Sequence, residues 1–134
     1  MLRINLLSLL TLLPHTLALP DSTRVLNARA STCTPTSGGS SSTDDVPAIT
    51  SAIASCGKGG TIVIPSGTTY YLNSVLDFAG CVDCDFQVEG LLKFSSSTKY
   101  WEGRTAMMNL RNITGIKIRS LTGSGVIDGN GQNA

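Results

Sequence analysis

Past Gly59-Gly60, apolar side chains return at every second position in short bursts, and each burst runs into a turn. Thr61-Ile62-Val63-Ile64 leads into Pro65-Ser66-Gly67, and Asp85-Phe86-Gln87-Val88 is followed by an apolar run over residues 91–94. Ile116-Lys117-Ile118-Arg119 alternates again, ahead of Thr122-Gly123-Ser124-Gly125 and Val126-Ile127. Residues 70–72 and 75–78 are further extended pieces. Period two puts one apolar face on each strand, so each must bury that face against something. The pairs Ile62/Ile64, Phe86/Val88 and Ile116/Ile118 are 24 and 30 residues apart. That suits a solenoid whose coils bury each other's apolar faces. The unequal spacing leaves an ordinary β-sandwich open on periodicity alone.

One helix is predicted ahead of the first strand. Thr43-Asp44-Asp45 offers an N-cap and an acidic first turn, and Pro47 is tolerated that early. Val46, Ile49, Ile53 and Ala54 share a face at helical spacing, with Gly57 as C-cap. Such a helix would cover the open end of a solenoid. Residues 30–43 read as a surface lead-in without periodicity.

The N-terminus reads as a signal peptide over residues 1–18. Arg3 is its positive end, residues 6–13 are apolar apart from Ser8 and Thr11, and Thr16-Leu17-Ala18 is a cleavage site. Residues 19–32 are then a pro-segment or linker, with Ala28-Arg29-Ala30 as a second cleavage site. The apolar run is well short of the roughly 20 residues a spanning helix needs, so no membrane association is expected. The formal charge is +1, and from residue 19 onward nine basic residues balance nine acidic ones. That excludes a nucleic-acid binder that works by net charge.

Secretion makes disulfides the default for Cys33, Cys56, Cys81 and Cys84. Three connectivities are open. Cys33–Cys56 and Cys81–Cys84 is preferred, because one pair flanks the helix and the other is close in sequence. A zinc site would want a second close pair, so no metal is expected. The only histidine is His15, inside the signal peptide, which leaves no imidazole for a Ser/His triad or a His-ligated metal.

Other motifs have plain readings. Gly57-Lys58-Gly59-Gly60 precedes a strand and lacks phosphate-loop spacing, so it is a turn. Asp128-Gly129-Asn130-Gly131-Gln132 lacks the sixth-position glycine of a calcium loop and reads as a glycine-rich turn. Asp83, Asp85 and Glu89 raise the question of a carboxylate pair for glycoside hydrolysis, but surface solubility is the preferred reading. Tyr70, Tyr71, Tyr100 and Trp101 are assigned to packing before sugar stacking. Asn112-Ile113-Thr114 is an N-glycosylation sequon.

Taken together, Thr43-Asp-Asp-Val-Pro-Ala-Ile-Thr-Ser-Ala-Ile-Ala-Ser-Cys56, Gly59-Gly-Thr-Ile-Val-Ile-Pro-Ser-Gly67 and Gly123-Ser-Gly-Val-Ile-Asp-Gly-Asn-Gly-Gln132 resemble the start of glycoside hydrolase family 28, the polygalacturonase family. The stretch 75–94, with Tyr100-Trp101-Glu102-Gly103, is similar to its fungal exo-acting and related members. The resemblance spans residues 33–134. It implies an all-β, right-handed parallel β-helix, here its first coils only, with a short N-terminal capping α-helix. It implies a secreted, monomeric enzyme with no cofactor that hydrolyses α-1,4-galacturonosyl bonds of pectic polysaccharide with inversion. An exo-polygalacturonase is expected over a xylogalacturonan or rhamnogalacturonan hydrolase.

The family's chemistry uses aspartates in Asn-Thr-Asp and Asp-Asp motifs, a Gly-His-Gly histidine and an Arg-Ile-Lys element. None is found in this chain: Asp44-Asp45 lies at the helix, and Ile116-Lys117-Ile118-Arg119 belongs to an early coil. No catalytic residue is carried over, and a truncated chain without hydrolase activity is expected. The alternative is a non-catalytic carbohydrate-binding or cell-wall structural protein.

Overall fold

A computed structural model describes residues 30–133. The signal peptide and most of the 19–32 segment lie outside the described residues, as does Ala134.

The elements run β1 (Thr32–Cys33), α1 (Val46–Cys56), β2 (Thr61–Ile64), β3 (Thr69–Leu72), β4 (Leu76–Asp77), β5 (Asp85–Val88), β6 (Leu91–Phe94), α2 (Thr98–Trp101), β7 (Met108–Asn109), β8 (Lys117–Arg119) and β9 (Val126–Asp128), then a short 3-10 turn Gly131–Asn133. They form three parallel sheets, in the orders β1-β2-β5-β8, β3-β6-β9 and β4-β7. Each trip of the chain visits the sheets in turn, so the fold is a parallel β-helix. Right-handedness is the sense that parallel crossovers take.

The period-two pattern explains how the coils close. In β2, β3, β5 and β6 alternate residues are buried and their neighbours half-buried. The inward set, Ile62, Ile64, Tyr70, Leu72, Phe86, Val88, Leu92 and Phe94, joins Leu76 and Phe78 from the third side in one core. Burying each such side chain contributes about 1.5–3 kcal/mol. The rungs stack in register: Ile62 on Phe86, Ile64 on Val88, Leu72 on Phe94. On the next rung Phe86 meets Ile118, with Asp85 paired to Lys117. The rung therefore falls two residues later in the sequence than the spacing of the apolar pairs suggests: Ile118, not Ile116, continues the column. A two-residue slip keeps every side chain on its own face.

α1 covers the first coil, burying Val46, Ile49, Ala52, Ile53 and Cys56. Ala54, expected on this face, is exposed, and Ala52 takes its place. Ala52 is one turn from Ile49, whereas Ala54 is rotated about 100° past Ile53. The lead-in also departs from expectation. Thr32 and Cys33 pair with Thr61 and Ile62, adding a rung to the first sheet before the helix begins. Cys33 is bonded to Cys56 and Cys81 to Cys84, with Cα atoms 6.0 and 5.5 Å apart.

Two glycines allow the turns between the first and second sheets to stack. A Cβ on Gly90 would lie 2.3 Å from the Pro65 carbonyl oxygen, and one on Gly125 would lie 1.7 Å from that of Val88. Only a residue without Cβ lets successive backbones approach so closely.

Candidate functional site

The predicted site residues separate into framework and surface. Tyr70 is buried in the core, and its hydroxyl donates to the Pro35 carbonyl. Burial, and then the Asp45 charge, push that phenol above its ordinary value, so it remains a donor. Trp101 stands edge-on to Phe94 at 5.8 Å and donates from Nε1 to the Ser95 carbonyl at 2.9 Å. Tyr100 stands edge-on to Trp101 at 4.7 Å. These contacts follow the packing assignment, but Trp101 is only half-buried and keeps a face toward a cleft.

Asp85 and Glu89 are each held by groups from the following coil. Asp85 is gripped by the Arg119 guanidinium at 2.9 and 2.6 Å, which holds its carboxyl below the usual value. Glu89 organises the turn over residues 120–125. It accepts from the Thr122 hydroxyl, the Leu121 amide at 2.5 Å, the Ser120 hydroxyl at 2.9 Å and the Thr122 amide at 3.1 Å. The Thr122 hydroxyl, then the Leu121 amide, hold its carboxyl at about 2. A general acid must be protonated near working pH, so these shifts run in the wrong direction. Asp83 has a left-handed backbone, φ 50°, packed against Gly115.

Linkage gives the sign of the pH dependence. A carboxyl lowered on folding stabilises fully above its unfolded value, and that stability is lost as pH falls through the folded one. The ordinary value for Glu89 is 4.5 and its folded value about 2, so the loss spans that window. Urea midpoints taken from pH about 6 down to about 2 should fall through this range. Glu89→Gln should be less stable at the upper end and show a flatter decline. An equally steep decline in the variant would remove Glu89 as a source.

Several clefts open on the surface formed by the described residues. One, about 210 Å³, is lined by Trp101, Met107, Ser96 and Asn130. It adjoins a second of about 670 Å³, bordered by Tyr71, Asn73, Lys93 and Gln132. Ser95, Ser96 and Asn130 line both, the last from the expected glycine-rich turn. Asn130 donates its amide to Asp128 Oδ1 at 2.8 Å, has φ 55°, and donates from Nδ2 to the Phe94 carbonyl at 3.2 Å. A third cleft lies beside the β4–β7 sheet and includes Arg104 and Arg111. The sequence reading missed both arginines. The available signal was a run from Arg104 to Arg111 with no acidic residue in it. Asn112 is exposed on the turn after β7, with φ 56°.

No family model matches the chain. Endo-xylogalacturonan hydrolase A of Aspergillus tubingensis is 70% identical over 115 residues, covering 86% of this chain and 28% of its own length. The probable endo-xylogalacturonan hydrolase A of Aspergillus flavus is 62% identical over 139 residues, covering 100% of this chain and 34% of its own length. The crystal structure of the endo-xylogalacturonan hydrolase from Aspergillus tubingensis superposes with a TM-score of 0.76 at 72% identity, over 77% of this chain and 28% of that one. The chain thus spans about a third of the length of these relatives. The similarity to exo-acting members expected from residues 75–94 is corrected here: these relatives are named as endo-acting, on xylogalacturonan.

Proposed function

We infer that this chain is the opening portion of a secreted, monomeric polygalacturonase-family glycoside hydrolase that cleaves xylogalacturonan internally. The observation that carries the reading is 70% identity to the Aspergillus tubingensis enzyme across 86% of the chain. A shared coil architecture supports it. At that level of identity the rungs, stacking turns and cap serve the same scaffold. The exposed Asn112 sequon and the two disulfides fit an oxidising, extracellular setting.

This segment supplies scaffold and sugar contacts, not bond cleavage. An inverting glycosidase needs a protonated carboxyl and a carboxylate base roughly 6.5–9.5 Å apart, with water between. Here Asp85 is neutralised by Arg119, and Glu89 is spent on its turn.

The test compares two proteins. The full secreted product carrying this segment should lower the viscosity of xylogalacturonan quickly while releasing few reducing ends. It should act more slowly on unsubstituted polygalacturonate. Residues 19–134 alone should release no reducing sugar above buffer from either polymer. Turnover by the short segment would overturn the scaffold assignment. Release of single sugars without a viscosity drop would overturn endo action.

A further inference from the structure

The described residues hold three arginines, and their surroundings differ sharply. Arg119 is paired with Asp85 at 2.6 Å. Arg104 and Arg111 have no carboxylate partner among the described residues. Both instead line one cleft of about 280 Å³, together with Val75, Thr105 and Asn109, and no acidic residue borders it. That volume is near the lower end of small-ligand clefts, a size suited to a single sugar residue.

Arg104 is held in place before any ligand arrives. Its Nε donates to the Tyr100 carbonyl at 2.8 Å, and its guanidinium carbon lies 3.9 Å from the centre of the Tyr100 ring. The ring is itself fixed, because the Tyr100 hydroxyl accepts the Val75 amide at 3.3 Å. The terminal N–H groups of Arg104 stay uncommitted, and a guanidinium presents them in a planar fork that matches a carboxylate. On the far side, Asn109 accepts the Arg111 amide at 3.3 Å and donates to Asp77 at 2.9 Å. That fixes the turn from which Arg111 projects, and it occupies both ends of the Asn109 side chain.

We propose that this cleft is a subsite for a uronate residue, with Arg104 and Arg111 together binding its carboxylate. The identity of the sugar acid rests on the pectin reading above; the cationic, acid-free cleft does not. A lone exposed ion pair contributes little, but two guanidinium groups on one carboxylate add charge-assisted, directional hydrogen bonds. The chain is net neutral from residue 19 onward, so the attraction is local to this cleft and falls with added salt.

The test is calorimetric titration of the full secreted protein with trigalacturonate and with neutral galactotriose, at low temperature to outrun turnover. Arg104→Gln and Arg111→Gln should each weaken trigalacturonate binding about fivefold, and the double variant about twentyfold. Galactotriose binding should not change, nor should Lys58→Gln alter either ligand. Both arginines are exposed, so unchanged circular dichroism is expected and confirms folding in every variant. Arg111→Lys, which keeps charge but loses the fork, should fall between parent and Arg111→Gln. Equal trigalacturonate affinity in parent and double variant overturns the subsite while leaving the pectin reading intact. If the pectin reading is what fails, the parent neither binds trigalacturonate nor cleaves xylogalacturonan.

Discussion

Phe86→Ala is expected to lower the free energy of unfolding by about 4 kcal/mol. Phe86 is fully buried on the middle rung, between Ile62 below and Ile118 above. Its ring also stands edge-on to Phe78, with centroids 5.0 Å apart, so the column is braced from the third sheet. Truncation removes the transfer energy of the ring and leaves a cavity that rungs fixed by backbone hydrogen bonds cannot collapse to fill. Phe86→Leu keeps most of the volume and should cost about 1.5 kcal/mol. Ile118→Ala should cost less than Phe86→Ala, because Ile118 is half-buried on the last described rung. Urea unfolding followed by far-ultraviolet circular dichroism gives all three values. A Phe86→Ala loss below about 1 kcal/mol would mean that the rungs do not share one interior.

That column also shows where sequence reading reached and where it stopped. Ile62 and Phe86 are 24 residues apart and stack as their alternation suggests. The following rung arrives after 32 residues, because the chain detours through α2 and its flanking loops before β7. Alternation reports which face a residue takes, not how far a strand has slid. Ile116 and Ile118 satisfy it equally. The choice is made by contacts outside the strand, such as the Lys117 amide on the Cys84 carbonyl at 2.9 Å. β1 and β7 are two residues each and too short to carry a period, so pairing partners alone define them.

The surface was less legible still. Asp83, Asp85 and Glu89 stood out as carboxylates, but their roles depend on groups brought from far along the chain. Glu89 meets Ser120, Leu121 and Thr122 only because one coil separates them. Local sequence could not distinguish a turn organiser from a proton donor. Arg104 and Arg111 gave no periodic signal, because exposed turn residues follow none. Their meaning lies in a cleft lining that holds both guanidinium groups and no acid, which becomes a physical statement only once the cleft is seen.

The only adjacent aspartates in the chain carry the other large expected effect. Asp45 is 2% exposed, and its carboxylate accepts the Gly38 amide at 2.7 Å, the Tyr71 amide at 2.7 Å and the Ser37 hydroxyl at 3.5 Å. Its own amide donates to the Tyr71 carbonyl at 2.8 Å. Asp44 reaches the other way, taking the Asn73 amide at 3.0 Å and the Val46 amide at 3.2 Å. The expected helix cap is therefore partly there, in Asp44, while Asp45 ties the lead-in, the helix start and β3 into one unit. Asp45→Ala should cost about 3–4 kcal/mol, since it leaves two amide donors in a water-poor site without their charged acceptor. Asp45→Asn should recover part of this, because one acceptor oxygen survives while the new amino group faces donors. Hydrogen exchange gives a sharper readout than the midpoint. In Asp45→Ala the Gly38 and Tyr71 amides should exchange faster than the β5 amides, which lie a coil away. Uniform acceleration across β3 and β5 would mean that Asp45 supports the whole stack; no acceleration at Gly38 would mean that the clamp does not hold the lead-in.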